Sequence, residues 1–118
     1  MIKPGDQVVY IPNHVIELAS FVTGVPIDKA EDGSIQSFSS VMLTQPACEF
    51  GFVTSIKDDN AWCRFWARSL GRTHLRTTSC SERTPLANLL KVSWCDGITQ
   101  DDIDAACDQY HIEIREVP

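Results

Sequence analysis

Residues 61–68 read AWCRFWAR, and this run has two opposite faces if it forms a β-strand. Successive side chains of a strand point to opposite sides of the sheet. One side carries small or apolar residues, namely Ala61, Cys63, Phe65 and Ala67. The other side alternates two indoles with two guanidiniums, namely Trp62, Arg64, Trp66 and Arg68. The first face is suited to a core, and the second predicts a binding surface.

Short runs of the same kind recur along the chain, separated by turns. Residues 48–57 alternate around Gly51, which predicts a bulge or bend, and the polar turn at 58–60 predicts a hairpin with 61–68. Further strands are predicted at 6–12, 74–80 and 89–94, with a turn around Pro85.

Residues 13–43 and 99–118 do not show the same alternation throughout. Residues 13–24 fit either an amphipathic helix capped by Asn13 or an extended apolar run, and 34–43 predict another strand. A helix is predicted to begin after Thr99 as its cap, with acids in the first turn. Residues 112–118 predict an added strand with Ile112 and Ile114 inward.

These elements predict a mainly β protein: a small SH3-like half-open barrel with a long inserted loop after strand 1 and a C-terminal α-helix as an α+β appendage. A length of 118 residues suits a single domain, 1–118. The barrel core is expected at 5–12 and 48–95, the insertion at 13–47 and the helical appendage at 96–118.

The net charge of −6 hides a segregation of charge along the chain. Residues 1–56 hold two basic and six acidic residues, a net charge of −4. Residues 57–91 hold seven basic and three acidic residues, a net charge of +4, and residues 92–118 hold one basic and seven acidic, a net charge of −6. An acidic chain is a poor nonspecific partner for nucleic acid, because phosphate contacts supply most of that affinity.

Five cysteines are spread along the chain without a CxxC pair, which argues against a disulfide framework and a zinc knuckle. No cofactor is expected, since a metal site built from Cys63, His74 and Cys80 lacks a short-range ligand pair. The N-terminus has no apolar h-region, and no apolar run approaches the roughly 18 residues that span a bilayer. A cytoplasmic location and no membrane partner are therefore expected.

Motifs for catalysis are absent from the sequence. The three histidines fall in different predicted elements, and no phosphate-binding glycine loop, nucleophile elbow or HExxH motif is found. His14 could meet Cys48 and Glu49 as a Cys/His pair, although hydrogen bonds that hold a turn are the simpler interpretation. A non-enzymatic protein is expected.

Three short motifs follow one another in a recognisable order. The residues that carry them are Gly5, Asp6, Val8, Tyr10, Ile11, Pro12 and His14, then Pro46, Cys48, Glu49, Gly51 and Val53, then Arg64 and Phe65. With them the chain resembles small SH3-like barrel proteins of phages and prophages, whose members show GDxVxYIPxH, PxCExGxV and VFVRF-like motifs. About half of the chain is covered. An enlarged segment 15–45, a last turn (84–86) without the family's acid, and the helix after residue 98 depart from that pattern.

The resemblance implies an origin on a mobile element and a binding role, in a family that mostly lacks an assigned biochemistry. We expect the binding residues on adjacent strands, as one outward patch of Trp62, Arg64, Trp66, Arg68, His74 and Arg76. A second surface is the acidic helix, which could imitate nucleic acid through Asp101, Asp102, Asp104 and Asp108. In the opposing interpretation, the insertion or the C-terminal helix covers the patch within the same molecule.

These expectations favour a protein that docks on a host protein or nucleoprotein defence complex and inhibits it, in the manner of an anti-CRISPR or anti-restriction protein. A nucleic-acid-binding module that uses the Trp/Arg face is one alternative. A homodimeric structural or interaction protein of a mobile element is another.

Overall fold

The computed structural model describes residues 1–39, 41–67, 74–76, 80–93 and 98–115, apart from the side chain of Thr44. Its strands are β1 (Gln7–Tyr10), β2 (Glu49–Lys57), β3 (Asn60–Phe65), β4 (Glu82–Pro85) and β5 (Leu89–Lys91). Its helices are α1 (Asn13–Thr23) and α2 (Gln100–Tyr110), and single 3₁₀ turns occur at Met42–Thr44 and Leu86–Asn88.

The strands form one antiparallel sheet in the order β4-β3-β2-β1-β5. Strands β1, β2 and β3 each pair with the next strand along the chain, and β5 returns to pair with β1, with Val9 opposite Leu90. In the described part of the chain β4 and β5 remain edges, so the sheet is not closed. The predicted mainly β protein with a C-terminal helix is confirmed at this level.

The predicted hairpin between β2 and β3 is also confirmed. Its ladder runs from Lys57 opposite Asn60 to Gly51 opposite Phe65, with an irregularity between Val53 and Ser55. The bulge therefore lies two residues or more beyond Gly51. Glycine is needed at position 51 for another reason: a Cβ there would stand 2.2 Å from the carbonyl oxygen of Arg64 in β3.

The strand that pairs with the outer side of β3 differs from the prediction. It is β4, in the segment where the sequence predicts a turn around Pro85, and Pro85 pairs with Asn60. Proline fits here because β4 is an edge strand, where a missing N–H costs no ladder bond. Of the predicted strand at 74–80, Leu75 forms an isolated bridge with Trp66, and residues 77–79 lie outside the described residues.

The segment 13–47 contains a helix, so the first of the two sequence interpretations is right. Pro12 occupies the N-cap without a side-chain bond, and Asn13 does not cap α1 as predicted. The Asn13 side chain is used in another contact, because its Oδ1 accepts a 2.8 Å hydrogen bond from Nδ2 of Asn88. Asn88 also donates to the carbonyl oxygen of Ile11 at 2.9 Å, which ties the start of α1 to the turn before β5.

The predicted strand at 34–43 is wrong. Ile35 forms isolated bridges with Lys29 and Leu90, and a 3₁₀ turn occupies Met42–Thr44. The serine-rich sequence has too few apolar alternations to extend the sheet, and Ile35 is buried in the cluster that includes Leu90 of β5.

Apolar side chains cover both faces of the sheet. One face carries a cluster of Ile2, Val8, Val53, Ala61, Cys63, Phe65, Leu86 and Leu89. The other face is covered in two halves. Residues of α1 and the insertion pack over β1 and β5, and α2 packs over β2 and the end of β3.

Helix α2 begins as the sequence predicts. The Thr99 side chain accepts from the Asp102 N–H at 3.3 Å, and the Asp102 carboxylate accepts from the Thr99 N–H at 2.9 Å, which is a capping box. The helix ends at His111, whose φ of 56° is in the left-handed region and turns the chain back over the sheet.

Candidate functional site

The two faces of β3 lie where the alternation predicts, but the second face is largely covered. Ala61, Cys63 and Phe65 are in the core. On the opposite side Trp62 is half-buried, while Arg64 and Trp66 are only 7% and 6% exposed. The outward patch is therefore not an open surface at Arg64 or Trp66, and Arg68 lies outside the described residues.

Trp66 belongs to the core beneath α2. Its indole lies 5.7 Å from the ring of Phe52, centroid to centroid, in a cluster with Ile98, Ile103 and Ala106. Its Nε1 has no hydrogen-bond acceptor in the described part of the chain. Burial beneath α2 removes the large apolar area of this indole from water. The C-terminal helix therefore covers this part of the patch.

Arg76 is held by two carboxylates. Its guanidinium forms ion pairs with Glu49 and with Glu82, at 2.6 Å to Glu82, and lies 5.1 Å above the ring of Phe65. Burial lowers the pKa of Arg76, but the hydrogen bonds to Glu82 and Glu49 outweigh it, so the net effect is a raised pKa. Arg76 is thus neutralised within the molecule, while His74 is exposed beside it.

Trp62 and Arg64 line a cleft of about 300 Å³ between the β2–β3 hairpin and residues 111–115. The segment that closes the cleft is placed by two backbone bonds. Ile112 N–H donates to Cys107 O at 2.9 Å, and Arg115 N–H donates to Thr54 O at 2.7 Å. Residues 112–115 therefore lie beside the bulge of β2, with Ile112 and Ile114 packed against the α2 cluster.

A line of hydrogen bonds forms the floor of this cleft. Arg64 Nε donates to Ser81 Oγ at 3.1 Å, Ser81 and Thr54 hydroxyls lie 2.8 Å apart, and Thr54 Oγ1 donates to the carbonyl oxygen of Trp62 at 2.9 Å. Arg115, His111 and Glu113 line the opposite wall. The lining combines an indole, two guanidiniums, an imidazole, a carboxylate and three hydroxyls. The carboxylate of Glu113 forms an ion pair with Arg115 at 3.8 Å.

The acidic helix places its carboxylates in different surroundings. Asp102 is used in the cap of α2, and Asp104 accepts from the Gln100 amide at 3.1 Å. Asp101, Asp104 and Asp108 are exposed. Burial raises the pKa of Cys107 on the same helix, and the carboxylate of Asp104 raises it further.

Four apolar side chains that the sequence pattern does not single out are exposed on and just after α1. Leu18, Phe21 and Val22 lie in the second half of the helix, and Val25 follows its C-cap, Gly24. Their exposed fractions are 49%, 86%, 72% and 59%. Val15 and Ala19, nearer the start of α1, are buried. A helix with apolar residues on both sides is normally buried on both sides, so this composition was the available signal.

The groups considered for chemistry are not assembled into a site. His14 is exposed on α1, the buried thiol of Cys48 donates to Met42 O at 3.7 Å, and Glu49 pairs with Arg76. Among the described residues, no three His, Cys, Asp or Glu side chains are grouped to hold a metal ion.

No protein-family model matches this chain, and neither a curated protein nor a solved structure matches it. Neither helix in the described ranges has the length and apolar character that crossing a membrane requires.

Proposed function

We propose that this chain is a non-enzymatic binding protein that docks on another protein through the outer face of α1. The observation that carries the proposal is the exposure of Leu18, Phe21 and Val22 on α1 and of Val25 just after it. Leu18, Phe21 and Val22 follow i, i+3, i+4 spacing, which is the spacing of anchor residues in helices that insert into apolar grooves.

A concave partner fits this stripe better than a second copy of the chain. Four side chains of this kind expose on the order of 400 Å². Two stripes paired by two-fold symmetry would bury about 800 Å² in total, which is below the ~1,200 Å² of stable interfaces. A groove also contacts the flanks of a protruding side chain such as Phe21, so it buries more area for the same stripe.

The negative charge around α1 indicates which residues should surround that groove on the partner. Helix α1 holds one carboxylate, Glu17, and no lysine or arginine, and residues 1–56 carry a net charge of −4. Complementary basic residues around an apolar groove would speed encounter with this surface and set its orientation. The proposed partner is therefore a protein with an apolar groove and a basic rim.

The more specific form of the proposal is a phage-type inhibitor that acts on a host protein or nucleoprotein defence complex in the host cytoplasm. It draws on the three motifs and on an SH3-like half-open barrel. Support for the barrel comes from a last strand that returns to pair with the first, a 3₁₀ turn just before it, and a long bulged β2 shared by both halves of the sheet.

Nucleic acid is a weaker candidate for this protein. Of the residues expected to stack on bases or hold phosphate, Trp66 is in the core and Arg76 pairs with two glutamates. A net charge of −6 opposes a polyanion over the rest of the surface.

The test begins with a photo-crosslinking residue placed at Phe21 to identify the partner, followed by affinity measurements on the purified pair. Val22→Asp should weaken binding at least about tenfold, or about 1.4 kcal/mol. Val41→Asp is the matched control, since Val41 is 74% exposed and lies outside α1, and it should leave the affinity unchanged.

Two results would overturn the proposal. One is equal affinity for Val22→Asp and the parent chain. The other is a concentration-dependent dimer in sedimentation that Val22→Asp abolishes, because the occupant of the stripe would then be a second copy. Thermal melting of both variants verifies that they fold.

A further inference from the structure

We propose that residues 111–115 occupy, as an intramolecular ligand, a site on the sheet that also takes an extended peptide from a partner protein. The segment begins at the C-cap of α2 and packs back on the cluster that the helix covers. This site is separate from the exposed side chains on α1, and the inference does not depend on the function proposed for them.

Burial alternates along this segment, as it does in an extended chain that lies on a surface. Ile112 and Ile114 are half-buried and pack on the cluster beneath α2. His111, Glu113 and Arg115 are exposed. Two aliphatic side chains at alternate positions are therefore the part of the segment that the fold recognises.

The backbone of the segment bonds to β2 at its bulge. Arg115 N–H donates to the carbonyl oxygen of Thr54 at 2.7 Å. Thr54 is the extra residue between Val53 and Ser55, which pair with β3 on either side of it. A bulge leaves its extra residue outside the regular ladder, so the Thr54 carbonyl is available to an added chain. A backbone bond to a sheet combined with alternate side-chain contacts is how extended peptides bind by β-strand addition.

The segment is attached to the sheet over a small area. Within the described residues, the bond from Arg115 N–H is the one backbone hydrogen bond that joins residues 112–115 to the sheet. His111, where the segment begins, has a φ of 56°, which is unfavourable for a residue with a side chain. A cleft of about 300 Å³ separates the segment from the β2–β3 hairpin. Release of the segment should therefore not require unfolding of the five strands.

The chemistry of the partner follows from the segment that it would displace. It is an extended peptide with aliphatic side chains at two alternate positions and a backbone N–H that reaches the Thr54 carbonyl. It competes with an intramolecular ligand whose effective concentration is on the order of millimolar. A side chain larger than that of Glu113 at the outward position between the two aliphatic residues would extend into the cleft and favour the partner.

The first test is amide hydrogen exchange of the full chain, corrected for intrinsic rates. The Arg115 amide should exchange at least about tenfold faster than the Val53 amide, which donates to Asp6 O at 3.0 Å within the sheet. Equal protection of these two amides would show that the segment leaves only when the sheet unfolds, and would overturn the proposal.

The second test is titration of the full chain with the peptide acetyl-HIEIR-amide, followed by the NMR shifts of the Thr54 and Ser55 amides. The peptide should bind Ile114→Asp at least about tenfold more tightly than the parent chain, since the segment of this variant no longer competes. Arg115→Pro removes the N–H donor and should act in the same direction. Gln109→Asp adds the same charge at an exposed position of α2, and as the matched control it should bind the peptide like the parent chain.

The peptide acetyl-HDEDR-amide, with aspartate at both isoleucine positions, should not bind. Equal binding of the two peptides would overturn the proposal, as would equal affinity of acetyl-HIEIR-amide for Arg115→Pro and the parent chain. Thermal melting verifies that each variant folds. Arg115→Pro changes an exposed residue, so it decides the outcome if Ile114→Asp does not fold.

Discussion

The indole of Trp66 packs against the ring of Phe52 beneath α2, with centroids 5.7 Å apart and planes tilted by 47°. Trp62, four residues earlier on the same face of β3, lines the cleft beside residues 111–115. The Trp/Arg face of β3 is thus divided, with Trp66 in the core and Trp62 lining a surface cleft, because α2 packs over the end of β3.

The core position of Trp66 predicts a large stability loss on truncation. Trp66→Ala should lower the free energy of unfolding by about 3–5 kcal/mol, from lost burial and the cavity left behind. Trp66→Phe should cost much less, since Nε1 has no acceptor within the described residues. Urea denaturation of both variants measures this. Equal stability of Trp66→Ala and the parent chain would contradict the placement of α2.

Asp32 predicts a pH-dependent contribution to stability. Burial raises the pKa of its carboxyl, but hydrogen bonds from Ser34 and from the Ile2 N–H outweigh this and the pKa is lowered. The bonds are 2.5 Å from the Ser34 hydroxyl and 2.8 Å from Ile2. A carboxyl with a lowered folded pKa stabilises the fold above its unfolded pKa of about 3.9, and this contribution is lost as the pH falls through the folded value.

Asp32→Asn should therefore be less stable than the parent chain at neutral pH, and the difference should shrink in acid. Unfolding by urea across this pH range provides the measurement. Glu31→Gln, an exposed change in the same turn, is the control and should show no such trend. A stability difference for Asp32→Asn that stays constant with pH would contradict the ionised role of Asp32.

The conformation of the β2–β3 turn predicts that glycine affects stability differently at two adjacent aspartates. Asp58 has a φ of 56°, in the region that favours glycine, whereas Asp59 does not have a positive φ. Both substitutions remove one carboxylate, so the difference between the stabilities of the two variants reports the effect of backbone conformation. Asp58→Gly should be more stable than Asp59→Gly by about 1 kcal/mol in thermal or urea unfolding. The reverse order would show that the turn has another conformation.

The cysteines predict selective alkylation of the native protein. Burial raises the pKa of Cys63 to about 12, from an ordinary value of 9.0, whereas Cys80 is exposed. The thiolate of Cys63 should therefore be about a thousandfold less populated than that of a thiol with the ordinary pKa, and iodoacetamide should label Cys80 before Cys63. Peptide mass spectrometry identifies the labelled site. In urea both thiols should react, and rapid labelling of Cys63 in the native state would place β3 outside the core.

Elements whose signals are local could be predicted from the sequence alone. Alternation along β2 and β3 predicts their hairpin, because strand periodicity and a short polar turn depend only on neighbouring residues. The capping box of α2 is equally local, since Thr99 and Asp102 are three residues apart. The charge segregation and the two faces of β3 follow from the printed sequence in the same way.

Which of those faces meet solvent depends on the folded arrangement of distant segments. Arg76 is neutralised by Glu49, a residue 27 positions earlier, and Trp66 is covered by a helix that begins at Gln100. The same holds for α1, where the apolar composition does not tell that Val15 and Ala19 are buried while Phe21 and Val22 are exposed. The physical reason is that burial depends on contacts between distant segments, and periodicity along one segment does not encode which partner covers it.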